Sequence, residues 1–177
     1  GTPEALRATL DAPIPGAPVE IAERRDLSIE LEGRTLKGRL YHPAPGEALP
    51  VAIFFHGGGW VHGTLDMFDR LCATLAVQAN CAFVFVDYRL APENPFPAAW
   101  NDALGSLQWV KTNHESLFVD ANRIALTGDS AGGNLAAAIA QVVSGDPAVL
   151  GAHARGPPKR GQCIVRDVLV TGAAWVA

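Results

Sequence analysis

The sequence predicts an α/β fold: a mostly parallel sheet led by a β-hairpin, with helices on both faces. Two patterns carry this prediction. The first is a pair of apolar runs, PVAIFFHG and CAFVFVDYR, which lack polar alternation, as strands covered on both faces do. The second is the set of helix-length segments that follow such runs, in which apolar residues recur every three or four positions. Strands alternating with helices imply a parallel sheet wrapped on both sides, joined by right-handed crossovers. At 177 residues one domain over 1–177 is expected, and a hydrophobic share of 49 % is enough to build a core.

In chain order, LSIELEGRTLKGRLYHPA alternates about a turn at Gly33 and predicts a hairpin over 27–31 and 35–41. PVAIFFHG follows as a buried strand. DMFDRLCATLAVQA places Phe68, Leu71, Cys72, Leu75, Ala76 and Ala79 at helical spacing, with Thr64 or Asp66 as N-cap. CAFVFVDYR is the next buried strand. FPAAWNDALGSLQWVKTNH predicts a helix with Pro97 in its first turn and an inward stripe of Trp100, Ala103, Leu104, Leu107 and Val110. RIALTG is a further strand. AGGNLAAAIAQVVS then predicts a helix with Leu135, Ile139, Val142 and Val143 inward, ended by Gly145. GQCIVRDVLV is a candidate sixth strand.

Composition excludes several classes. A net charge of −4 leaves no basic face of the kind nucleic acid requires. No apolar run is long enough for a membrane span. The N-terminus GTPEALRATLDAP lacks the charged and apolar regions of a signal peptide, and Gly1 in place of Met reads as a fragment boundary. Cys72, Cys81 and Cys163 are odd in number, show no CxxC spacing and lie in apolar patterns. They are expected to be buried thiols in a reduced, cytoplasmic setting.

In open α/β sheets ligands bind at the carboxyl ends of the strands. The functional loops should therefore follow Phe55, Val86 and Thr127. The last of these holds GDSAG, residues 128–132, which fits G-x-S-x-G between a strand and a helix. A sharp turn there lifts the Ser130 side chain clear of the sheet, and Gly128 and Gly132 let strand and helix approach. Ser130 also sits at a helix N-terminus, where free N–H groups favour developing negative charge. The plain alternative is an ordinary Gly-rich helix start. The first loop holds HGGGW, residues 56–60, whose side-chain-free backbone can aim N–H groups at an oxyanion. Gly58 and Gly59, with Ala131 after the nucleophile, would form that hole. A phosphate loop is the alternative, but no GK[ST] follows and no GxGxxG lies at this turn.

With DYRLAPENPFPAAWND in the middle loop, the three motifs HGGGW, DYRLAPE and GDSAGGN stand in one order. Together they resemble the hormone-sensitive lipase-like (α/β-hydrolase-3) family of bacterial esterases. The resemblance covers about 19–162 and leaves a divergent tail over 163–177. It implies an α/β-hydrolase core and a carboxylesterase for small esters, with Ser130 as nucleophile and neither cofactor nor metal. It also implies that Asp87, Arg89 and Glu93 form a hydrogen-bonded scaffold beneath the site, with Asp129 structural. Trp60 is a candidate pocket residue, with plain packing as the alternative.

A serine nucleophile of this fold needs a histidine base and an acid, which follow it along the chain. Residues 131–177 are too few for the strand–helix units that carry them, and the segment CIVRDVLVTGAAWVA departs from the family pattern. The expectation is an incomplete core, truncated or frame-shifted, with impaired activity. Of the histidines, His42 and His114 follow the hairpin and a helix, His56 anchors the glycine loop, and His153 should emerge at the far rim. His62 is the one placed to be weighed as a base, with a pocket-rim role as the stronger reading. Asp167 lacks a histidine to orient. A sheet stopped there would expose an apolar edge, so a homo-oligomer or strand exchange is expected. Two other functions fit the same motifs. One is a non-catalytic small-ligand-binding protein, as in the plant gibberellin receptors that resemble this family. The other is one part of a split esterase.

Overall fold

The computed structural model describes residues 2–145 and 170–171. The described elements are α1 (Pro3–Leu10), β1 (Glu23–Leu31), β2 (Arg34–His42), β3 (Leu49–Phe55), α2 (Leu65–Ala79), β4 (Ala82–Asp87), α3 (Ala98–Thr112), β5 (Val119–Asp129), α4 (Ala131–Gly145) and β6 (Val170–Thr171). They form one mixed sheet in the order β1-β2-β4-β3-β5-β6. The hairpin β1–β2 is antiparallel, and β2 joins β4 antiparallel. Strands β4, β3, β5 and β6 run parallel.

The strand order explains the layers. The chain moves from β3 outward to β4, then reverses across β3 to reach β5. With right-handed crossovers, that reversal sends the intervening helices to opposite faces. Helix α2 covers one face: Phe68, Cys72, Ala73 and Ala76 pack on Tyr41, Phe54, Phe83 and Phe85. Helices α3 and α4 cover the other: Ala103, Leu107, Val110, Leu135, Ile139 and Val143 pack on Ile53, Val84 and Leu126. The reversal also brings the carboxyl ends of β3 and β5 together, with Phe55 paired to Gly128.

Several sequence expectations need correction. Helix α1 was not anticipated; it buries no residue, so no apolar stripe announces it. Strand β5 begins at Val119, before the RIALTG run, because its first residues already pair with Leu49 of β3. Pro97 is the N-cap of α3 rather than a first-turn residue. In α2 the cap is Thr64, whose Oγ accepts from the Met67 N–H at 3.2 Å. Ala79 is exposed and Ala73 takes its place in the core. Val142 is exposed as well: it lies about 100° around the helix from Val143, off the row 135, 139, 143 that meets the sheet. Cys72 is buried and Cys81 half-buried, both as free thiols, and burial pushes Cys81 up to about 11. Cys163, His153, Asp167 and most of the candidate sixth strand lie outside the described residues. Beside β5, the described part of β6 pairs only at Gly128 and Asp129. Among the described residues no helix is long and apolar enough to cross a membrane.

Candidate active site

The turn between β5 and α4 is tight because two backbones nearly touch. A Cβ on Gly132 would fall on the carbonyl oxygen of Phe55, and one on Gly128 would meet the same oxygen and the Gly132 backbone. Both positions therefore require glycine. Between them Ser130 adopts φ +47°, a left-handed conformation that costs a non-glycine residue about 1–2 kcal/mol. The strained residue is exposed, while its neighbours Ala131, Gly132 and Gly133 are buried. The carbonyl of Ser130 accepts from the Asn134 N–H at 3.0 Å, which starts α4 directly behind the side chain.

The glycine loop is tied to this elbow by one side chain. Oδ1 of Asp129 accepts from the Gly57 N–H at 2.6 Å. Burial raises the Asp129 carboxyl above its ordinary range, and the Gly57 bond opposes that shift. Gly58 and Gly59 follow with φ +117° and +59°, conformations that side-chain-bearing residues rarely adopt. Beyond them Val61 and His62 donate to the Gly58 carbonyl at 3.0 and 3.1 Å, closing a tight turn. The N–H groups of Gly58, Gly59 and Ala131 make no hydrogen bond among the described residues. Open backbone N–H groups are the kind of donor that can hold a developing negative charge.

His56 underlies the loop. Its ring is fully buried and stacks on Tyr88 at 4.2 Å between centroids and on Phe85 at 5.6 Å. Nδ1 donates to the Gly57 carbonyl at 2.7 Å, and Tyr88 donates its hydroxyl to the His56 carbonyl at the same distance. Burial lowers the His56 pKa to about 4, so the ring is neutral. A histidine held neutral in the fold contributes stability above its unfolded pKa near 6.5, and that contribution is lost as pH falls through 4. His56→Phe keeps the ring stack and removes the titration. Between pH 7 and 4 the unfolding free energy of the parent is expected to fall about 3 kcal/mol further than that of the variant. Urea unfolding at the two pH values measures this, and parallel losses in both proteins would refute it.

Of the expected middle-loop scaffold, Arg89 and Glu93 make side-chain hydrogen bonds, whereas Asp87 makes none among the described residues. Asp102 of α3 is fully buried and accepts from the Arg89 N–H at 3.0 Å and from Arg89 Nε and Nη2, each at 2.9 Å. Arg34 Nε of β2 adds a bond at 2.6 Å. Glu93 accepts both Arg7 Nη atoms at 2.8 Å, and that pairing holds its carboxyl down at about 2. Burial raises Asp87 to about 6. Trp60, with φ +60°, is partly exposed at the loop rim. The partners Arg7, Asp11, Arg34 and Asp102 were missed at the level of sequence. Asp102 carried a readable signal: it shares a helix face with Ala98 and Ser106 at four-residue spacing, so a carboxylate stood on a burying face.

Ser130 itself stands apart. Among the described residues its hydroxyl has no hydrogen-bond partner. His42 Nε2 is bonded to the Phe118 carbonyl at 2.9 Å. His62 Nδ1 lies 3.2 Å from Asp11 Oδ1, which also accepts from the Gly63 N–H at 2.8 Å. His62 thus belongs to the loop's support.

Comparison with known proteins finds similar chains over much of this sequence. A family model described as alpha/beta hydrolase fold matches residues 52–161. Esterase LipI of Mycobacterium tuberculosis is 47 % identical over 119 residues, which are 66 % of this chain and 37 % of that protein. The ethyl acetate hydrolase of Pseudomonas putida is 44 % identical over 119 residues, 65 % of this chain and 37 % of its own length. Among solved structures, the thermostable carboxylesterase EstE1 from a metagenomic library superposes with a TM-score of 0.78 at 37 % identity, over 84 % of this chain and 52 % of that one. A Pyrobaculum calidifontis esterase gives 0.74 at 36 % identity, over 82 % and 49 %. The chain thus spans little more than a third of these curated relatives.

Proposed function

Because the chain belongs to the hormone-sensitive lipase-like (α/β-hydrolase-3) family of the alpha/beta hydrolase fold, we propose that it carries the nucleophile and oxyanion half of a carboxylic ester hydrolase. Ser130 Oγ attacks the ester carbonyl and forms the new C–O bond. The carbonyl oxygen takes the negative charge and is held by the N–H groups of Gly58, Gly59 and Ala131. Collapse of this intermediate expels the alcohol and leaves an acyl group on Ser130, which water then removes. The single observation that supports this reading is the strained, exposed Ser130 together with three backbone donors, those of Gly58, Gly59 and Ala131, that have no partner among the described residues.

The serine proton must go to a base, and the described histidines are committed elsewhere or distant in the fold. The general base and its acid are therefore assigned to residues outside those described, whether of this chain, of a longer one or of a partner in a split enzyme. The chain of 177 residues is expected to hydrolyse p-nitrophenyl acetate slowly. An oxyanion hole and substrate binding alone retain roughly 10³–10⁴-fold over water in serine hydrolases that lack triad members. That residual rate does not need the serine, so Ser130 is tested by its acyl intermediate: p-nitrophenyl acetate should slowly add an acetyl group to the parent, read as a mass shift on the peptide holding Ser130, and add none there in Ser130→Ala. A parent whose Ser130 peptide takes no acetyl group would remove Ser130 from the mechanism. Fast, Ser130-dependent turnover would mean that a base acts within the chain.

A further inference from the structure

Helix α1 buries no residue, yet it is placed with definite contacts. Its attachment is polar and concentrated on one face. Arg7 and Asp11 are four residues apart, so they point the same way. Arg7 Nε donates to the Val61 carbonyl at 2.7 Å. Its Nη2 donates to the Ala91 carbonyl at 2.9 Å, and both Nη atoms pair with Glu93. Asp11 Oδ1 takes the Gly63 N–H and the His62 ring. The same loops are joined once more where the Ala91 N–H donates to the Trp60 carbonyl at 2.8 Å.

The loop needs this help. Trp60 and Gly63 both have positive φ, and the internal turn leaves the Val61 carbonyl and the Gly63 N–H pointing outward. Asp129 holds the loop at Gly57, on one side of Gly58 and Gly59. Arg7 and Asp11 hold it at Val61 and Gly63, on the other side. We propose that Arg7 and Asp11 are positioning residues: they clamp residues 60–63 so that the Gly58 and Gly59 N–H groups stay aimed at the position of an oxyanion on Ser130. This inference rests on the esterase reading for its purpose, but the clamp itself can be measured without substrate.

The readout is amide hydrogen exchange in the folded protein. Among the described residues the Val61 and His62 N–H groups bond only to the Gly58 carbonyl, so their exchange reports whether the turn holds. Arg7→Ala and Asp11→Ala are each expected to speed exchange at both amides about tenfold or more, with amides of β3 unchanged. Asp11→Asn keeps an acceptor oxygen for Gly63 and should return the rates to within about threefold of the parent. With p-nitrophenyl acetate, Arg7→Ala should lower kcat about tenfold and leave KM within about twofold, since the clamp acts on the oxyanion and not on ground-state binding. Unchanged loop exchange in both alanine variants would overturn the proposal. So would equal acceleration in β3, which would make the effect one of global stability, or a failure of Asp11→Asn to restore the rates. If Ser130 takes no acetyl group from p-nitrophenyl acetate, the esterase reading fails, while the exchange rates still decide the clamp.

Discussion

Gly132→Ala is expected to destabilise the protein by about 3 kcal/mol or more, among the largest losses for any single methyl group added to the described residues. The added Cβ would land on the Phe55 carbonyl oxygen and lie 2.6 Å from the His56 carbonyl oxygen. Phe55 ends a central strand paired on both sides and His56 follows it directly, so these backbone atoms cannot yield as a side chain would. The strain would be relieved only by moving α4 away from β3, and that displaces Ser130 and the Ala131 N–H together. Gly105→Ala is the control. Its Cβ meets only the end of the Leu31 side chain at 3.0 Å, and alanine is the better helix former, so the change should stay within about 1 kcal/mol. Urea unfolding of the two variants provides the comparison. Equal midpoints would show that the close approach of elbow and strand is not what requires glycine at 132.

Asp102→Ala is expected to cost about 3 kcal/mol, and Asp102→Asn somewhat less. The carboxylate is fully buried and joins three elements: Arg34 at the start of β2, Arg89 after β4 and its own helix α3. Its loss strands two guanidinium groups. Both are partly exposed, which lets water compensate in part and keeps the figure below that for a wholly buried pair. The Arg89 N–H would also lose its acceptor, so the loop over 88–93 should loosen, and with it the Tyr88 bond beneath the glycine loop. A stability change under about 1 kcal/mol in both variants would demote this group to an ordinary surface ion pair.

The fold was legible where local pattern and burial coincide. The apolar runs of β3 and β4 are buried throughout or nearly so, because helices cover both faces of the sheet and no alternation can survive there. The three motif loops could be placed for the same reason, since each follows such a run. Helix α1 escaped because it packs through Arg7 and Asp11, and polar clamps leave no periodic apolar signal. Val142 and Ala79 were misplaced at helix positions where spacing alone tolerates two registers. Asp102 was passed over because a single carboxylate in a helix looks solvated until its cations, 68 and 13 residues away in sequence, are brought to it.

The sequence by itself therefore determined the sheet strands from β1 to β5, the helices α2, α3 and α4, their order and the three motif loops that follow the strands, because each depends on neighbours a few residues apart. The tertiary structure alone decided the conformation of Ser130, the openness of the Gly58, Gly59 and Ala131 donors and the supports at Asp129, Asp102, Arg7 and Asp11. These depend on hydrogen bonds and close backbone contacts between distant segments, and such partners are chosen by the reversal of strand order across β3.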